Sequence, residues 1–172
     1  MGKIIFIVGG ARSGKSRYAE KLANASKKKV VFVATGEGLD KEMKERIRLH
    51  KSTRPKHWVT VEEPYQVAGV IRKMKSSGTC VIIDCLTLLV SNGLLKKMNS
   101  AAIETEAANI VAALKTRKGP SILVSNEVGL GIVPANRLGR VFRDVAGRVN
   151  QIVAGQANEV FFMVSGIPWR VR

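Results

Sequence analysis

A chain of 172 residues, 45% hydrophobic and 24% charged, is sized for one domain with a sizeable core, and no apolar run approaches the ~18 residues that cross a bilayer. Its two cysteines, Cys80 and Cys85, match no metal-binding spacing and offer no disulfide framework, so a reducing, cytoplasmic setting is expected. The net charge of +16 leaves three explanations open: nucleic acid, an anionic substrate, or a well-solvated surface.

The chain opens on "KIIFIVG". Glycines follow this short run where a signal peptide would carry a small-residue cleavage site, so it reads as a strand. Next comes "GGARSGKS", Gly9 to Ser16, with the spacing G-x-x-x-x-G-K-S. Its glycines allow a tight turn that aims backbone N–H groups inward, and a helix predicted over Ser16 to Ala25 points its positive dipole end at the same place. In this pattern Gly9, Gly10, Ala11, Arg12, Ser13 and Gly14 line a phosphate. Lys15 reaches the β- and γ-phosphates and Ser16 ligates Mg2+. A chance Gly-rich turn would look similar, but the flanking strand and helix favour the phosphate.

A second β-branched run, "KVVFVAT", ends in Ala34, Thr35 and Gly36, where ligands of open α/β sheets gather. The segment from Asp40 to Lys51 is charged and amphipathic, with Asp40 as cap and Glu42 in the first turn. At about 100° per residue, Met43, Ile47 and His50 share one face, which turns His50 toward the protein body. A core imidazole and a nucleophile fit that placement equally. Lys51 and Arg54 follow at once, cations able to hold a triphosphate, and a neutral imidazole can attack phosphorus. His57 reads as structural.

The third run, "TCVIIDCL", carries Asp84 at its end. A magnesium site of this class takes a carboxylate from the end of a neighbouring strand, so Asp84 pairs with Ser16; a strand-end cap is the alternative. Ser100 to Arg117 reads as a helix burying Ile103, Ala107, Ile110 and Leu114. "PSILVSN" is a fourth strand and "NEVGLGIVP" a loop after it. Arg137 to Ala154 reads as a helix with Leu138, Val141, Val145, Val149 and Ile152 on one stripe, and "EVFFMVSG" as a fifth strand. Continuous apolar runs alternating with helices imply an α/β fold with a mostly parallel central sheet, three layers deep, of the P-loop NTPase (RecA-like) kind.

Five segments together are specific: "GGARSGKSRYAEKLA", "VATG", "DKEMKERIRLHKSTRPKHW", "TVEEP" and "SNEVGLGIVPANRLGRVFRDVAGRVNQIVA". They closely resemble the bifunctional adenosylcobinamide kinase and adenosylcobinamide-phosphate guanylyltransferase of cobalamin biosynthesis, over about residues 3 to 167. The resemblance implies two reactions. ATP or GTP phosphorylates the hydroxyl of the corrinoid's aminopropanol arm; GTP then gives GMP to an enzyme histidine with loss of pyrophosphate, and the corrinoid phosphate takes it to form adenosylcobinamide-GDP.

By position the guanylylated histidine is His50. Some members carry two adjacent histidines there, whereas this chain has Leu49 before His50. The resemblance puts nucleotide contacts on Gly9 to Ser16, Ala34 to Gly36, Lys51, Ser52, Thr53, Arg54, Glu62 and Asp84. Glu62 would accept hydrogen bonds from ribose or guanine N–H groups, or else is a solvated carboxylate beside Glu63. The resemblance further implies a homo-oligomer, a trimer.

Two rivals use the same loop. A RecA-like nucleic-acid-binding ATPase would explain +16, but aromatics for stacking are only 5% of residues and the cations are spread along the chain. A single-activity small-molecule kinase would use Lys15 and Asp84 and leave His50 idle. The expected partners are therefore a corrinoid and nucleotides, with no nucleic acid and no membrane span.

Overall fold

The computed structural model describes residues 2–74 and 78–172, with the side chain of Thr53 outside that description. Among the described residues one seven-stranded sheet runs in the order β3-β2-β4-β5-β1-β6-β7. Its strands are β1 (Ile4–Gly9), β2 (Val30–Ala34), β3 (Val59–Glu62), β4 (Cys80–Asp84), β5 (Ser121–Asn126), β6 (Glu159–Val164) and β7 (Ile167–Arg170). All neighbours pair parallel except β6 with β7. The P-loop NTPase class and the mostly parallel sheet expected from the sequence are what the structure shows.

Helices cover both faces, which is why the central strands are apolar on both sides. The helix α1 (Lys15–Ala25) buries Ala19 and Ala23 against Ile5, Ile7, Ile82, Ile122 and Val124. On the other face, α3 (Val67–Lys73), α5 (Ser100–Lys115) and α6 (Arg137–Gln156) pack on Ile4, Phe6, Val33, Val81, Ile83 and Leu123. Two helices, α2 (Lys41–Thr53) and α4 (Leu86–Leu95), gather instead at the carboxyl ends of the strands. The buried Asn92 of α4 donates from Nδ2 to the carbonyls of Thr35 (2.7 Å) and Pro64 (3.2 Å), which lie just past β2 and β3.

Three features depart from the expectations. The strands β3 and β7 and the helices α3 and α4 were not marked by periodicity. The carboxylate strand β4 is not beside β1, because β5 lies between them. The stripe on α6 buries Val145 and Val149 but leaves Leu138 exposed. Asn150 donates to the carbonyl of Asn126 at the end of β5 (3.1 Å), so the first turns of α6 lie toward the carboxyl end of that strand.

Candidate functional site

The loop from Gly9 to Ser16 joins β1 to α1 and is shaped by backbone. Arg12 (φ 57°) and Gly14 (φ 92°) adopt left-handed conformations, and alternating hands of this kind turn successive N–H groups into one concavity. Gly9 cannot carry a side chain: its Cβ would lie 2.6 Å from the carbonyl oxygen of Met163. The turn after β6 braces the loop, Gly166 donating its N–H to the carbonyl of Ser13 (3.0 Å). Gly10, Ala11 and Arg12 are exposed at the rim, while Ser13 is buried and its Oγ has no hydrogen-bond partner. A buried hydroxyl without a partner, in a nest of backbone donors, fits an anion.

Lys15 is buried and donates from Nζ to the carbonyl of Gly10 (2.6 Å). Burial lowers its pKa, and the charges of Cys85 and Asp84 oppose the shift. Ser16 donates from Oγ to Oδ2 of Asp84 (2.9 Å). The two groups therefore meet across the intervening strand, and a hydroxyl beside a carboxylate is a hard donor set suited to Mg2+. Burial raises the pKa of Asp84, opposed by the Ser16 hydroxyl, His50, Lys15 and Arg54.

Across the sheet edge stands α2. Asp40 caps it by accepting from the N–H of Met43 (2.7 Å). Met43 and Ile47 are half-buried as their spacing predicts, but His50 is exposed rather than turned into the body. It is nonetheless near enough to Asp84 and Glu20 to lower the pKa of each when protonated. Gly36 lies against this helix, with the Cδ1 of Ile47 3.5 Å from where its Cβ would stand, an ordinary contact distance.

Arg54, half-buried just after α2, lies 3.6 Å over the ring of Phe32 and donates to Oγ1 of Thr60 (2.9 Å). Burial lowers its pKa against the pull of Asp84, Glu20 and Glu62. Phe32 stacks in turn on the buried Trp58. Lys51 forms an ion pair with Glu62, so Glu62 is neither solitary nor in contact with Glu63 alone. Ser52 is exposed and returns its hydroxyl to the carbonyl of Leu49 (2.8 Å).

Thr35 departs from its expected role. It is fully buried, and its Oγ1 donates to the carbonyl of Cys85 (2.7 Å) and accepts from that residue's N–H (2.8 Å). The hydroxyl ties β2 to the end of β4, both of its bonds going to the backbone of Cys85. Ala34 likewise gives its carbonyl to the N–H of Glu63 (2.9 Å).

Sequence reading missed Glu20. This half-buried carboxyl has its pKa raised by burial and by Asp84, and lowered by His50, Arg54 and Arg17. The signal was present, since a residue four positions after Ser16 stands over the same helix face. Asn92, which fastens α4 to the ends of β2 and β3, gave none.

Comparison with known proteins gives the family. The family profile described as "Cobinamide kinase / cobinamide phosphate guanyltransferase" matches residues 5–171. The bifunctional adenosylcobalamin biosynthesis protein CobP of Pseudomonas aeruginosa is 43% identical over 162 residues, covering 94% of this chain and 93% of its own. The corresponding protein CobU of Escherichia coli is 41% identical over 181 residues, covering 98% and 99%. A match over nearly the whole chain, with relatives 41% and 43% identical over nearly the full length of both chains, means that the chain belongs to the cobinamide kinase and cobinamide phosphate guanyltransferase family.

Proposed function

We propose that the two activities share the loop Gly9 to Ser16 within a single nucleotide-binding domain, and that His50 carries GMP between GTP and the corrinoid phosphate. The observation that carries this reading is electrostatic: Asp84, bonded to Ser16 at 2.9 Å, also feels His50, Lys15 and Arg54. His50, Lys15 and Arg54 all stand near enough to Asp84 to influence its carboxyl, which supports one site for both transfers.

In the first reaction the hydroxyl oxygen of the corrinoid arm forms a bond to the γ-phosphorus of ATP or GTP, and the bond to the β-phosphate oxygen breaks. Lys15 and the loop amides stabilise the charge shed onto the leaving nucleoside diphosphate. In the second, an imidazole nitrogen of His50 attacks the α-phosphorus of GTP and pyrophosphate leaves. An oxygen of the corrinoid phosphate then attacks the same phosphorus and returns the imidazole. Dividing nucleotidyl transfer in this way asks only for in-line placement at each stage. Lys51 and Arg54 offset the phosphate charge, and Glu62, held by Lys51, stands where a ribose or guanine could be read.

Ser16 and Asp84 would hold Mg2+, which neutralises phosphate charge when bound. Among the described residues no three His, Cys, Asp or Glu side chains form a cluster; Mg2+ characteristically needs only one or two protein ligands besides substrate phosphates and water. We further place the enzyme in the cytoplasm as a homo-oligomer, a trimer. No helix among the described residues is long and apolar enough to cross a membrane.

Incubation with α-labelled GTP and Mg2+ tests the histidine step. The expected product is protein label that is acid-labile and alkali-stable, absent from His50→Ala, while that variant still phosphorylates the corrinoid. Absence of label under conditions where the kinase reaction runs would exclude the histidine intermediate and leave a one-step kinase.

A further inference from the structure

The loop after β5 displays apolar side chains that nothing among the described residues covers. Ile132 is 96% and Leu130 79% exposed, and Val133 and Leu138 are more than half exposed. The loop is nonetheless fastened. Glu127 Oε1 accepts from the N–H of Gly129 (2.8 Å), and Arg140 donates to the carbonyls of Pro134 (3.1 Å) and Ala135 (2.6 Å). Asn136 caps α6 by accepting from the N–H of Gly139 (2.6 Å). Leu138 continues the patch into an apolar groove of about 260 Å³ between α4 and α6, closed by Leu94, Leu95 and Phe142. An apolar surface held this firmly in water marks a binding face.

Its position identifies the occupant. The N–H of Glu127 donates to the carbonyl of Gly9 (3.0 Å), so the loop begins on the phosphate cradle itself. Leu130 follows three residues later, within about 10 Å along the chain. The cradle is dimensioned for phosphates. A cobinamide is a broad ring system with apolar faces and an amide rim, joined to its reacting hydroxyl by a flexible arm. Only the arm can enter the cradle, so the ring must lie on something beside it.

We infer that Leu130, Ile132, Val133 and Leu138 form the platform on which the corrin ring lies while its arm reaches the phosphate loop. The inference rests on the family's cobinamide substrate and not on the histidine intermediate.

The test is the double variant L130S/I132S, both positions exposed, with GTP-dependent labelling of His50 in the absence of corrinoid as a check that the nucleotide site is intact. The platform predicts a rise in KM for adenosylcobinamide of roughly tenfold or more, unchanged kcat and nucleotide KM, and unchanged mass by light scattering. It also predicts that a corrinoid lacking the amino-alcohol arm inhibits the wild type competitively against adenosylcobinamide and loses potency in the variant. An unchanged corrinoid KM overturns the proposal. A fall in oligomer mass accompanying the KM change overturns it too, assigning the face to a second copy of the chain. Failure of labelling in the wild type bears on the histidine step alone, because the kinase KM reads the platform without it.

Discussion

At the scale of single residues, the site depends on atoms that are missing as much as on those present. Gly9 is the clearest case, because the carbonyl oxygen of Met163 stands 2.6 Å from where a Cβ would be. Backbone cannot swing aside as a long side chain can, so β1 and β6 would have to part. Gly9→Ala is therefore expected to lower stability by about 1–3 kcal/mol, seen as a lower urea midpoint with an unchanged slope, and to weaken nucleotide binding. Asp84 shows the opposite dependence: its carboxyl was legible in sequence because it ends an apolar run, yet its environment was not. Thr35 read as a ligand contact because it ends a strand, but its partner Cys85 lies 50 positions along the chain. Adjacent residues announce themselves; pairs formed by folding do not. Glu20 lies between these cases, close in sequence to Ser16 but linked by charge to Asp84, His50 and Arg54 only once folded.

At the scale of elements, α2 matters most because it carries His50, the proposed nucleophile, whereas the rest of the proposed site is built from the strands and the phosphate loop. It is an exposed helix, with only Met43 and Ile47 of its described side chains half-buried, so packing supports it weakly and its cap counts for more. Asp40→Ala removes the bond to the N–H of Met43 and is expected to cost about 1 kcal/mol. The loss should be local: faster amide exchange in α2 and slower guanylylation of the protein, with the kinase rate unchanged. Equal loss in both reactions would show that α2 serves both. The elements the sequence concealed are concealed for physical reasons. The strand β3 has four residues and is largely exposed, β7 contains Pro168, and α4 (LTLLVSNGLL) is apolar on nearly every side and so has no period to detect. The long helices α5 and α6 were plain because one face of each is buried and the other wet. Even there, the stripe on α6 ran past the core, and Leu138 at its start joins the exposed apolar patch.

For the molecule as a whole, the two cysteines make stability sensitive to alkali. Burial pushes the Cys80 thiol up to about 11 and the Cys85 thiol up to about 12, against 9.0 for a free one. The folded protein thus keeps protons that the unfolded chain begins to lose near pH 9. Stability from these thiols is intact below that pH and disappears as pH rises through 11 to 12, with a loss of about 1.4 kcal/mol per thiol by pH 10. Urea midpoints measured from pH 8 to 10 should fall accordingly, and C80A/C85A should show a shallower decline. An identical decline in the variant would acquit the thiols.

The ends of the sheet carry a further consequence. On one side β3 is four residues long; on the other β7 places Pro168 opposite Met163, and a proline has no N–H to offer an incoming strand. Neither border is a good template for strand addition. Both borders thus disfavour a sheet continued from one copy into the next, and association through helices, loops or side chains is the expected mode.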